Sequence, residues 1–274
     1  MLSVETRHAI HPEHAKGMDT EALRAHFLTE GMFTSGEIRL VYTHYDRFVL
    51  GGAVPAGGTL VLDKVEETRT ATFLERREMG IVNIGETGTV SAGGESWEMA
   101  RGDVLYLGMG AGAISFSGEG RFYITSAPAH ATYPNRLITV EDAVKVEMGA
   151  SETSNKRVIK QFIHPTVMQS CQLILGYTSL VDGSVWNTIP SHIHDRRMEA
   201  YLYWGMSEEA RVLHLMGEPQ ETRHLVVADE QAVLSPSWSI HSGAGIGEYT
   251  FIWAMAGDNV DYTDMDFIQP KDLK

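Results

Sequence analysis

The chain reads as a long series of short strand-like runs set off by glycines, with no alternation of strands and long helices. Residues 37–42, 82–84, 104–107, 176–177, 211–216 and 250–253 carry these runs, and Gly217, Glu218, Pro219 and Gln220 read as a hairpin connection. Evenly spaced strands without βαβ units must pack as a sandwich or close as a barrel, because each has an apolar face that another sheet has to cover. One helix is predicted, over 21–28. Asp19 and Thr20 can cap it, Leu23 and Phe27 form an i,i+4 apolar pair, and Gly31 can end it.

A weak internal repeat divides the chain. Glu75-Arg76-Arg77-Glu78-Met79-Gly80 echoes Asp195-Arg196-Arg197-Met198-Glu199-Ala200 at an offset of 120. Gly102-Asp103-Val104-Leu105-Tyr106-Leu107 echoes Glu230-Gln231-Ala232-Val233-Leu234-Ser235 at an offset of 128. Two similar β domains are therefore expected, 1–150 and 151–274, joined through the polar stretch 146–155.

Only the second carries a metal-ligand set: His192, His194, Glu199 and His241. His192 and His194 are two apart and share one face of a strand. Glu199 stands an odd distance from His194. A turn at Asp195-Arg196-Arg197 followed by an antiparallel strand through 198–203 would return its carboxylate to the imidazoles. His241 arrives after another strand-like run, 231–236. Three imidazoles and one carboxylate suit Zn, Fe, Mn or Ni, and argue against a thiolate zinc site or a calcium cage. A lone histidine is more often a hydrogen-bonded core or surface residue; the remaining histidines, His44 and His224 among them, lack this company and are expected to be non-ligands. In the first half, Thr72, Leu74, Met79 and Ala113 stand where the quartet stands in the second, and none can ligate. That domain should be metal-free and serve packing or oligomer contacts.

At 274 residues, 43% hydrophobic and 21% charged, the chain has an ordinary globular composition. Lys and Arg number 22 against 36 Asp and Glu, a net charge of −14, which weighs against nucleic acid or an anionic membrane as partner. No apolar run has the length of a membrane span and the start lacks a secretion signal, so a cytoplasmic location is expected. Cys171 is the sole cysteine, which excludes an intrachain disulfide, and a packed strand thiol is expected there.

Gly183, the His-x-His-x-x-x-x-Glu run, Gly205 and Pro236-x-x-x-x-His241 resemble the cupin superfamily, with Trp238 where its second motif carries glycine. More specific stretches are similar to the 5-keto-4-deoxyuronate isomerases. They are Asn187-Thr188, His192 through Glu199, Pro219-Gln220-Glu221-Thr222-Arg223-His224, Ser235 through Gly243, Phe73 through Glu78, Pro128-Ala129-His130, Thr153-Ser154-Asn155-Lys156-Arg157 and the Lys271-Asp272-Leu273 tail. The resemblance implies an all-β double cupin, two jelly-roll barrels with a short N-terminal helix. It also implies one zinc held by His192, His194, Glu199 and His241, and a homohexamer. The implied activity interconverts the aldehyde and ketone forms of an unsaturated-uronate breakdown product of pectin and related polyuronides.

An aldose–ketose isomerase moves hydrogen between adjacent carbons, by a base through an enediolate or by hydride shift; the sequence leaves both open. Glu221 and Arg223 are the candidate catalytic residues, with His224 a similar case. Arg223, Arg197 and Arg157 are candidates for a substrate carboxylate, since guanidinium binds carboxylate through two parallel hydrogen bonds. Arg196 and Arg197 are equally readable as structural, because Arg76 and Arg77 persist in the half without ligands. Trp238 and Trp253 are expected to wall the barrel. The same ligand set also serves Fe(II)-dependent cupin dioxygenases and non-catalytic sugar-acid-binding cupins, and the isomerase-like stretches favour the isomerase.

Overall fold

The computed structural model describes residues 1–258 and 262–274. It separates into two units, one of residues 1–8, 31–143 and 162–175, the other of residues 9–30, 144–161 and 176–274.

In the first unit a seven-stranded sheet runs, edge to edge, Leu2–Arg7, Glu37–Thr43, Val49–Val54, Phe122–Pro128, Arg77–Asn83, Val104–Leu107 and Arg136–Ile138. A four-stranded sheet follows the order Leu60–Leu62, Ile114–Gly118, Gly88–Ala92 and Glu95–Met99. Leu74, Met79, Ile81, Leu105, Phe116 and Phe122 are sealed in the core of this unit. Each such side chain contributes roughly 1.5–3 kcal/mol through burial. Leu74 and Met79, the counterparts of His194 and Glu199, thus serve an apolar interior. Cys171 is half-buried outside any strand, its Sγ on the carbonyl of Ala131 at 3.2 Å, so the strand expected there does not form.

The second unit repeats both sheets. Its seven strands are Val144–Met148, Arg157–Ile163, Ile174–Leu180, Thr250–Gly257, Arg197–Trp204, Ala232–Ser235 and Leu28–Thr29. Its four are Trp186–Asn187, Ser242–Gly245, Val212–Glu218 and Glu221–Val227. Arg77–Asn83 and Arg197–Trp204 hold the same place in their sheets, as do Val104–Leu107 and Ala232–Ser235, at the offsets of the repeat. Arg77 and Arg197 are both buried. Arg77 donates to the Ser126 and Arg47 carbonyls at 2.8 Å, and Arg197 to the Tyr262 carbonyl at 2.9 Å. Each arginine satisfies backbone oxygens at the rim of its sheet, which accounts for the recurrence of the pair.

The helix spans Thr20–Phe27, with Ala22 N donating to Asp19 Oδ1 at 2.9 Å and Leu23 and Phe27 buried. It stops earlier than the glycine signal suggested. Leu28 is extended and enters the sheet opposite Val233, so pairing to a strand, not Gly31, ends the helix. Among the described residues no helix is long and apolar enough to cross a membrane.

Candidate metal centre

The site is built in the second unit where the chain changes sheets. Ser191–Ile193 pairs antiparallel with Asp266–Ile268, setting His192 opposite Phe267. Arg197–Trp204 pairs instead with Ala232–Ser235 and Thr250–Gly257, so the hairpin expected between the histidines and Glu199 does not form. The turn at 195–196 does form, and it absorbs the odd spacing by carrying the chain into another sheet. His241 directly precedes Ser242–Gly245, after the turn that follows Ala232–Ser235.

His192, His194, Glu199 and His241 are all buried, and their ligand atoms lie within 4.8 Å of one another, a group that could hold a metal ion. His194 Nε2 and His241 Nε2 each stand 3.0 Å from Glu199 Oε2, and His241 Nε2 stands 3.0 Å from His192 Nε2. The outer nitrogens fix the protons. His194 Nδ1 lies 2.8 Å from the Asp264 carbonyl, which can only accept, so that nitrogen carries the hydrogen. Arg197 Nη2 comes within 3.2 Å of the same nitrogen, but its hydrogens go to the Tyr262 and Asp264 carbonyls. The Ser235 hydroxyl donates to the Ser239 carbonyl at 3.3 Å and therefore accepts from His241 Nδ1 at 3.2 Å.

His194 and His241 each hold a hydrogen on Nδ1 and aim Nε2 at a buried carboxylate. Burial also holds His192 and His194 below the ordinary histidine range, keeping both rings neutral. Converging lone pairs and a carboxylate repel one another unless a cation lies among them. Three neutral imidazoles and one carboxylate are a donor set for a divalent transition ion.

A cavity of about 380 Å³ opens onto the quartet, within the usual range for small-molecule sites of about 300–1,000 Å³. His192, Glu199, Tyr201, Trp253, Tyr262 and Arg157 are among its walls. The Tyr201 hydroxyl lies 3.1 Å from Thr188 Oγ1. Burial first, and then the Glu199 charge, push that phenol well above its ordinary range, so it keeps its proton. Behind it, Tyr203 Oη lies 2.8 Å from His214 Nδ1, and burial presses the His214 imidazole down to about 3.

Of the sequence candidates, the structure brings together the four expected ligands, with Arg157 in the wall of the same cavity. Glu221 and Arg223 do not line the cavity: they sit on the strand Glu221–Val227, where Arg223 donates to the Lys16 carbonyl and to Glu221 at 2.9 Å. His224 and His44 are exposed, and His44 stacks on His8 with ring centroids 4.6 Å apart. Trp253 walls the cavity, whereas Trp238 packs edge-on against Phe27 of the helix. Tyr201 was not among the candidates, although it stands two residues beyond Glu199 on one strand and so shares its face.

The KduI/IolB family pattern matches residues 27–271. This chain belongs to the KduI/IolB family. Within it the chain stands with the ketol-isomerases. It is 73% identical over its whole length, and the whole of the relative, to the 4-deoxy-L-threo-5-hexosulose-uronate ketol-isomerase of Agrobacterium fabrum. It is 50% identical to that of Halalkalibacterium halodurans, with 99% of this chain and all of the relative covered. Among solved structures, an IolB-like protein of Salmonella typhimurium superposes with a TM-score of 0.73 at 17% identity, over 88% of this KduI/IolB chain and 96% of the other. An oxalate decarboxylase of Bacillus subtilis does so with a TM-score of 0.55 at 11% identity, over 80% and 71%. These two likenesses concern the fold, which is the all-β double cupin expected from the sequence.

Proposed function

We propose that this ketol-isomerase converts the aldehyde form of 5-keto-4-deoxyuronate into its ketone isomer, in the breakdown of pectin or a related polyuronide, with one zinc on His192, His194, Glu199 and His241. The observation that supports the zinc is the convergence of the quartet, in which His194 and His241 are oriented through Nδ1 and aim Nε2 at Glu199. The substrate reading is supported by a relative, 73% identical, named for 4-deoxy-L-threo-5-hexosulose-uronate.

A bound zinc supplies Lewis-acid polarisation of a carbonyl and its neighbouring hydroxyl. The protein's own groups divide the rest. Asp264 and Ser235 hold the imidazole tautomers. Trp253 and Tyr201 face each other across paired strands and limit water in the cavity. Among the described lining residues, His192 and Glu199 of the quartet are the only imidazole or carboxylate groups. A separate base for a carbon-bound proton is therefore lacking there, which favours hydrogen passing from carbon to carbon as hydride. In that course the hydroxyl-bearing carbon loses hydride and its oxygen loses a proton, while the carbonyl carbon gains the hydride and its oxygen the proton. The Tyr201 and Thr188 hydroxyls, 3.1 Å apart, are suited to pass that proton between the two oxygens.

Following 5-keto-4-deoxyuronate by NMR with the zinc-loaded protein tests this directly. The aldehyde resonance should disappear as a hydroxymethyl ketone forms; an unchanged substrate spectrum would refute the assignment.

A further inference from the structure

Among the described residues Arg157 is a buried cation without an anion. It is 9% exposed, and its one hydrogen bond among the described residues runs from Nη1 to the Asn155 carbonyl at 2.9 Å. No carboxylate pairs with it among the described residues. Burial at this level is costly for a charge unless a partner is supplied. The chain carries a net charge of −14, so a lone guanidinium in a cavity is not an overflow of surface basicity.

Its placement says where the partner comes from. Arg157, Ile159 and Gln161 alternate along one strand and all three face the cavity that His192 and Glu199 also line. Lys160, between them, leaves the cavity and lies over the Tyr177 ring, 5.1 Å from its centroid. Arg157 is thus the only Lys or Arg among the described lining residues.

The preceding loop fixes this arginine. Asn155 is buried, and its Oδ1 accepts from Ala150 N at 3.0 Å and from Thr153 Oγ1 at 2.7 Å. Gly149 has a positive φ of 78°, and a Cβ there would stand 2.2 Å from the Asn155 carbonyl oxygen. Ser154 is held at φ 52° while its own carbonyl accepts from Val185 N and Trp186 N. The stretch Thr153-Ser154-Asn155-Lys156-Arg157 therefore builds a rigid carbonyl that aims one edge of the guanidinium and leaves the rest of the fork for a ligand.

We propose that Arg157 binds the carboxylate of the substrate and selects sugar acids over neutral sugars, fixing the acid end there and the carbonyl end at the quartet. This deepens the isomerase reading and rests on it for the identity of the reacting end, but the recognition of an anion is testable without turnover.

The test is calorimetric binding of galacturonate, its methyl ester and galactose to the zinc-loaded protein and to the Arg157→Gln and Arg157→Lys variants. Galacturonate should bind the unaltered protein roughly 10- to 100-fold more tightly than either neutral probe, as a charge-assisted paired contact implies. That preference should vanish in Arg157→Gln and return only partly in Arg157→Lys, which keeps the charge but not the fork. Equal binding of galacturonate and galactose by the unaltered protein, or an undiminished preference in Arg157→Gln, would overturn the proposal. Absence of isomerase activity in the unaltered protein, with its galacturonate preference present and lost in Arg157→Gln, would instead count against the isomerase reading alone.

Discussion

The Nε2 atoms of His192 and His241 lie 3.0 Å apart in a site where His241 directs its Nδ1 hydrogen to Ser235. Two imidazole nitrogens approach this closely as a hydrogen bond or as fellow ligands. His192 Nδ1 is buried and has no hydrogen-bond partner among the described residues. Of the three rings, His192 is the one not oriented by a hydrogen bond from its outer nitrogen, and it is held by the edge of Phe267 with centroids 5.5 Å apart.

Ser235→Ala removes the acceptor that fixes the His241 tautomer while leaving all four ligands. Zinc affinity, measured by competition with a chromophoric chelator, should fall roughly 10- to 100-fold. Unchanged affinity would mean that Ser235 does not hold the ring.

Tyr201→Phe deletes the phenol that keeps its proton beside Thr188. We expect kcat to fall roughly 10²-fold or more with zinc content and KM little altered, as for loss of a positioned proton donor. Full activity in the variant would remove the hydroxyl pair from the mechanism.

Isomerisation run in D₂O separates the two hydrogen-transfer routes. With hydride transfer the new C–H of the product should contain no deuterium, read by NMR or mass spectrometry. Deuterium at that carbon would show exchange through a base and send attention back to Glu199 or to a group outside the described residues.

His214 provides a pH test of stability. Its imidazole is pressed to about 3 in the folded chain, against about 6.5 when unfolded. Above the unfolded value both states are neutral and the group contributes nothing. As pH falls below it, the unfolded state takes up a proton that the folded state refuses, and stability declines. Thermal unfolding with chelator present should show His214→Gln losing less stability than the unaltered protein between about pH 7 and about pH 4, by up to roughly 3 kcal/mol. Parallel slopes would contradict the neutral burial of His214.

The quartet was legible because His-x-His, a turn and a carboxylate are local, and because a repeat showed what the other half lacks. The means of assembly was not: sequence spacing allowed a hairpin, whereas the partner of Ser191–Ile193 arrives more than 70 residues later. Glu221 and Arg223 drew notice as polar residues in a distinctive stretch, but they lie on Glu221–Val227, the edge strand of the four-stranded sheet. Tyr262 reaches the cavity by tertiary placement, which no periodicity records, while Arg157 was among the carboxylate candidates and Tyr201 was readable from the period of two along the strand of Glu199. The helix end failed for a similar reason, since strand pairing of Leu28 overrode a glycine three residues on.

The central claim is that the quartet holds the ion on which isomerisation depends. The most direct measurement is titration of chelator-stripped protein with zinc, reading activity on 5-keto-4-deoxyuronate alongside bound metal for the unaltered chain and for His241→Ala. Activity should rise with zinc and reach its plateau at one equivalent per chain, while His241→Ala stays folded by circular dichroism, binds little zinc and remains inactive. Full activity in the metal-free protein, or a His241→Ala variant that turns over normally, would contradict it.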